Sequence, residues 1–272
     1  MKGVPGEIPE QKVGTMSSFK PDLRVFDGIS EAAAAAAAEF RMRLFEAYRK
    51  GRPFACALSG GTTPQSMFRN LIGQAEERPF PPGFWNNTHI FWGDERDVPP
   101  DSAASNYRAA RETLLDHIEI PASNIHRVMP ELGGAAKAAN AYEAELKAFF
   151  ALEKGRFPRF DLVFLGMGED GHTASIFPSS EILHEKTRLV AAPWVAKINA
   201  FRITLTPPVI NNSACTIFLI AGDEKAGAVQ KVLEGPYLPE QYPAQIVRPE
   251  SGELIWMFDR AAASLLTTAQ NT

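Results

Sequence analysis

Four consecutive apolar residues, Leu162, Val163, Phe164 and Leu165, run straight into Gly166-Met167-Gly168 with no polar position among them. A strand with one wetted face would alternate polar and apolar residues. This run demands burial on both faces, as in the parallel sheet of an open α/β fold. The two glycines let the backbone turn sharply and pass close to a ligand. Glu169, Asp170 and His172 follow at the carboxyl end of the strand, where open sheets place their ligand sites.

The same grammar occurs upstream. Pro53 to Leu58 reads as an apolar strand, and Ser59-Gly60-Gly61-Thr62-Thr63-Pro64 follows at once. Pro64 suits the first turn of a helix, and Thr63 can cap it. Strand, glycine turn and helix N-terminus together form an anion cradle, because the first helical amides are unpaired and the dipole is positive there. On spacing alone the residues equally suit a tight turn without a ligand. Neither a dinucleotide fingerprint nor a Walker loop fits, since no lysine follows the glycines. Thr88 to Trp92 is the next strand, with Gly93, Asp94, Glu95 and Arg96 at its carboxyl end. Charges gathered at a second strand end point to a site rather than to a turn cap and a surface ion pair.

Elsewhere strands alternate with helices. Phe19 to Phe26 suits a short edge strand. Ser30 to Lys50 suits a helix capped by Ser30 and ended by Gly51, in which seven alanines, Ala32 to Ala38, allow close approach to a sheet. Helices are expected from Ser105 to about His117 and over Ala135 to Glu153, with a short strand at Asn124 to Val128 between them. Further strands are expected at Thr187 to Ala192, Phe201 to Leu205, Cys215 to Ala221 and Leu254 to Phe258. A helical turn at Pro207 to Asn212, a helix at Glu224 to Leu233 and a terminal helix from Asp259 complete the series. The expected class is α/β, an open and mainly parallel sheet with helices on both faces. Residues 1–18, rich in Gly, Pro and Ser, read as a flexible extension, leaving 19–272 as one domain.

Composition serves chiefly to exclude. A net charge of -4 with no long basic block argues against duplex nucleic acid and anionic membranes as partners, so positive potential for an anionic substrate must be local. Cys56 and Cys215 sit in apolar runs and read as buried thiols in a reducing compartment. No apolar run has the length of a membrane span and the N-terminus lacks a signal peptide's apolar segment, so the expected location is cytoplasmic. No histidines have H-E-x-x-H spacing; neither a metal nor a cofactor is expected, and protein partners are left open.

The stretch Gly166 to Pro178 reads GMGEDGHTASIFP. Together with SGGTTP and the block GDERDVPPDSAASNYRAARE at Gly93 to Glu112, it resembles the 6-phosphogluconolactonases, which share a superfamily with the glucosamine-6-phosphate deaminases. The resemblance runs from about Leu23 onward. It implies a Rossmann-like three-layer fold and cofactor-free hydrolysis of a small phosphorylated sugar lactone in the pentose phosphate pathway. His172 matches the family's catalytic histidine.

Imidazole, with an ordinary pKa of about 6.5, is a usable base near neutrality. The plainer alternative is that His172 only fastens its loop. His89, His117, His126 and His184 lie away from the motif. Ser59 and Ser175 lack the G-x-S-x-G elbow of a nucleophile. A lactone needs none, because water held by His172 can attack the ring carbonyl if a donor meets the oxyanion. Asp170 either orients His172 or binds a substrate hydroxyl. Ser59, Gly60, Gly61, Thr62, Thr63 and Asp94 are the expected substrate and phosphate residues, joined by the cations Arg96, Lys197 and Arg202. The resemblance supports Arg96 through its Asp-Glu-Arg block, and Lys197 and Arg202 through the segment around Arg-Ile-Thr-Leu-Thr. In deaminases the first block resembles Asp-Glu-Tyr, and a Phe-Asn-Glu-Pro segment supplies a glutamate for ring opening. Aligned on His172, that glutamate falls on Phe177, which takes no proton. The resemblance thus favours a lactonase over a deaminase or a non-catalytic sugar-phosphate sensor.

Overall fold

Strands that must be buried on both faces form the centre of one parallel sheet. The computed structural model describes residues 21–77 and 79–267. The sheet takes β1 (Asp22–Phe26), β2 (Phe54–Leu58), β3 (Thr88–Trp92), β5 (Leu162–Leu165), β9 (Cys215–Ile220) and β10 (Glu253–Asp259) in the order β1-β10-β9-β5-β2-β3. Every neighbouring pair in it is parallel.

Side chains alternate across this sheet and so fill two cores. Phe54, Cys56, Leu58, Leu162 and Phe164 face α1 (Ile29–Arg49), α2 (Thr62–Glu77) and α3 (Asn106–Thr113). Ala55, Ala57, Val163 and Leu165 face α4 (Ala135–Phe149), α5 (Pro207–Asn211) and α6 (Ala226–Leu233). The result is a three-layer α/β fold. Ala32, Ala33, Ala36 and Ala37 form the wholly buried stripe of α1, where a methyl-deep surface brings the helix close to β9 and β10.

A second, antiparallel sheet was not evident from sequence. It pairs β4 (Asp94–Arg96) with β8 (Ala200–Leu205), and β8 with β6 (Val190–Ala191) and β7 (Trp194–Val195). Only Gly93 separates β3 from β4, so the chain leaves one sheet and enters the other at the mouth of the site.

Several boundaries differ from expectation. Gly28 precedes α1 without a side-chain cap, and Ser30 lies inside the helix. Thr63 is the second residue of α2 rather than its cap. The expected helix to His117 ends at Thr113 and continues as a separate 3-10 turn. The segment 124–128 makes a single bridge, Ile125 to Ile90, instead of a strand. Helix α4 stops at Phe149, and Ala151 turns the chain with φ 47°. After β10 the chain makes turns held by the Asp259 carboxylate, which accepts from Ala262 N at 2.8 Å, and no terminal helix forms among the described residues. The proposed extension at 1–18 lies outside the described residues. Both cysteines are buried and unpaired, and no described helix is long and apolar enough to cross a membrane.

Candidate active site

The carboxyl ends of β2, β3, β5 and β9 meet the second sheet around a cleft of about 410 Å³. Ser59, Gly60, Gly61, Thr62, Thr63, Asp94, Arg96, His172, Lys197 and Arg202 all line it. Asp170 is turned toward a neighbouring pocket behind His172.

The loop after β5 is built to aim His172. Gly168 N donates to His172 O at 2.9 Å, and Gly171 N to Gly168 O at 3.0 Å. Gly171 takes φ 75°, and a Cβ on Gly168 would lie 2.1 Å from His172 Nδ1, so glycine is required at both positions. Asp170 Oδ1 stands 2.5 Å from His172 Nδ1, while Lys197 Nζ donates to Oδ2 at 2.6 Å. Burial pushes the Asp170 carboxyl up, but the Lys197 and His172 hydrogen bonds outweigh it and hold it at about 2. A carboxylate only accepts, so in a neutral imidazole the proton sits on Nδ1 and the lone pair on Nε2. Phe177 stacks on the imidazole with centroids 4.0 Å apart and 17° between planes. This is an oriented imidazole beside an open cleft.

The opposite wall is cationic. The β4–β8 register sets Arg96 directly across from Arg202. Like charges so placed repel; burial, then Arg96, pushes the Arg202 guanidinium down. Among the described residues neither arginine has an ion-pair partner; Arg96 donates to Ala104 O, and Arg202 to Phe201 O at 3.1 Å. An anion between them would relieve the repulsion.

The acidic neighbours divide by role. Glu95 is 2% exposed and accepts from Asn106 N and Tyr107 N at 2.8 Å and from Ser105 Oγ at 3.1 Å. It therefore secures the N-terminus of α3 to β4. Burial pushes its carboxyl up despite these bonds. Asp94, 8% exposed, faces the cleft and accepts from Ser175 Oγ at 2.6 Å and Asn106 Nδ2 at 3.3 Å.

Asn106, Ser175 and Lys225 line the cleft but were not foreseen as site residues. Lys225 was legible in principle, since Ile220-Ala221-Gly222 repeats the strand-then-glycine exit and Lys225 follows in the next turn. Its ammonium meets Glu169 only at 4.0 Å. Asn106 carried no such signal, because its contact is made across the fold. A Cβ on Gly60 would sit 1.8 Å from Asn106 Oδ1, and Gly61 needs φ 105°. Gly60→Ala should therefore dislodge Asn106 and weaken inorganic phosphate binding about tenfold, roughly 1.4 kcal/mol. Calorimetric titration checks this, and Asn106→Gly on the same background should recover part of the loss. Unchanged affinity in Gly60→Ala would mean that the close approach does not shape the cradle.

Among the described residues, no group of three or more His, Cys, Asp or Glu side chains is placed to hold a metal ion.

Comparison with known proteins gives concordant matches. The family described as glucosamine-6-phosphate isomerases/6-phosphogluconolactonase matches residues 28–256. The 6-phosphogluconolactonase of Synechocystis sp. is 42% identical over 210 residues, covering 77% of this chain and 83% of that protein. The human 6-phosphogluconolactonase is 38% identical over 215 residues, covering 79% and 81%. The solved 6-phosphogluconolactonase of Trypanosoma brucei superposes with a TM-score of 0.81 at 28% identity, over 92% of this chain and 100% of that one.

Proposed function

The chain belongs to the family of glucosamine-6-phosphate isomerases and 6-phosphogluconolactonases, and from that premise we infer that it hydrolyses 6-phospho-D-glucono-1,5-lactone to 6-phospho-D-gluconate in the oxidative pentose phosphate pathway. The observation that carries the choice within the family is Phe177 stacked on His172. An aromatic ring stands where ring-opening isomerisation needs a proton-transferring carboxylate, and the lactone needs no ring opening before attack.

The mechanism follows from the cleft's two walls. The amides of Gly61 to Thr63, with Arg96 and Arg202, hold the phosphate, and Lys225 adds charge from the α6 side. Asp94 is an acceptor and repels phosphate, so it serves sugar hydroxyls. His172 Nε2 takes a proton from water, whose oxygen bonds to the lactone carbonyl carbon. Collapse of the tetrahedral intermediate breaks the bond to the ring oxygen, which receives the proton back from His172. Asp170 steadies the imidazolium between these steps.

We read residues 19–272 as one catalytic domain, because both sheets contribute to a single cleft. The local positive wall in a chain of net charge -4 suits a small phosphorylated substrate better than nucleic acid. The buried, unpaired Cys56 and Cys215 suit the cytoplasm.

Freshly prepared 6-phosphogluconolactone, corrected for spontaneous opening, should be hydrolysed far faster than the unphosphorylated lactone. Equal rates would remove the phosphate assignment, and no rate above the blank would remove the activity. Exhaustive chelation should leave the rate unchanged; a loss restored by zinc or magnesium would overturn metal-free hydrolysis.

A further inference from the structure

Two cavities meet at Lys197. Its side chain lines the catalytic cleft and also a neighbouring pocket of about 1060 Å³ reaching to Glu181 and Trp194. It occupies the turn that joins β7 to β8, where Asn199 takes a left-handed φ of 48°. The side chain is 64% exposed, and its ammonium is held by Asp170 Oδ2 at 2.6 Å. The other oxygen of that carboxylate holds His172 Nδ1 at 2.5 Å. One carboxylate thus divides its charge between the base and a surface cation. The ammonium end of this pair is exposed and open to screening, and a phosphate dianion offers it twice the opposite charge.

We propose that Lys197 is a positioning residue that shares Asp170 with His172 in the free protein and turns to the phosphorylated ligand on binding, leaving Asp170 wholly to His172. The proposal rests on the lactone-hydrolase reading of the same site. Its consequence is a base that strengthens when substrate arrives. With Lys197 withdrawn, the carboxylate charge is no longer partly neutralised and favours the imidazolium more strongly. The depressed Asp170 carboxyl agrees with double use of that group, burial opposing and the Lys197 and His172 bonds prevailing. The other groups facing the same cleft as His172 are Phe177 against the ring, Asp94, Arg96 and Arg202 on the second sheet, and the Glu169–Lys225 pair.

The test uses Lys197→Met, a change at an exposed turn. The acidic limb of kcat/KM reports the free protein, and that of kcat reports the complex. In Lys197→Met the kcat/KM limb should move about one pH unit upward, while the kcat limb stays at its wild-type position. The His172 ring resonance, titrated by NMR without turnover, should move upward when inorganic phosphate is added to wild type and move less in the variant. An unmoved kcat/KM limb, equal movement of both limbs, or equal phosphate shifts in the two proteins would each overturn the proposal. The phosphate arm needs no hydrolysis, so failure of the activity reading and failure of the exchange are seen separately.

Discussion

His172→Asn should lower kcat by about a hundred- to ten-thousandfold, the usual worth of a positioned base. The expectation rests on geometry: Nδ1 is fixed by Asp170 at 2.5 Å, the ring is stacked on Phe177, and the cleft lies beside it. Asparagine keeps polarity and approximate size but accepts no proton near neutrality. The measurement is kcat with spontaneous opening subtracted, together with binding of 6-phosphogluconate, which should persist. The acidic limb of the pH–rate profile should vanish, because activity in wild type falls as imidazolium replaces imidazole. Asp170 cannot supply that limb. Its carboxyl is held at about 2, so its charge is lost only well below the range of a histidine. A folded variant with near-normal kcat would reject the mechanism and make Asp170 or Asp94 the base.

Arg96→Ala and Arg202→Ala should each cut kcat/KM for the phosphorylated lactone about ten- to a hundredfold, as one charge-assisted contact of about 1.5–3 kcal/mol disappears. The unphosphorylated lactone should be nearly indifferent to both changes. Neither arginine has an ion-pair partner among the described residues, and the two stand opposite each other. Removing one therefore relieves repulsion, and the melting temperature should hold or rise while capture fails. Undiminished kcat/KM in either variant removes that arginine from the phosphate site.

What could be read beforehand follows from local chemistry. The runs at Leu162 to Leu165 and Cys215 to Ile220 announced buried parallel strands, because no wetted face tolerates such sequences. The requirement for glycine at Gly168 was legible from the turn itself. The second sheet was hidden. Strands were expected at Thr187 to Ala192, which shrinks to the two residues of β6, and at Phe201 to Leu205, which is β8. But β4 and β7 are too short for any period, and β4 consists of Asp94, Glu95 and Arg96, which look like loop charges. Its pairing with β8 joins segments about a hundred residues apart, as Asp94 with Thr204 shows. The same distance problem concealed the approach of Asn106 to Gly60. Lys197 was expected as a site cation, but a long side chain at a turn does not declare its partner, and the structure sets it on Asp170.

The exit of the chain from β3 through Gly93 into β4 separates the machinery into a handle and a tool. The handle, on the reading proposed above, is made by the turn after β2 and the arginines of the second sheet and holds the phosphate end of a substrate. The tool is one loop after β5. Changes between Gly166 and Pro178 can exchange the tool while the glycine turn after β2 persists, so new chemistry need not await a wholly new way of holding the substrate. A lineage whose members either isomerise or hydrolyse phosphosugars is what such modular construction would be expected to yield.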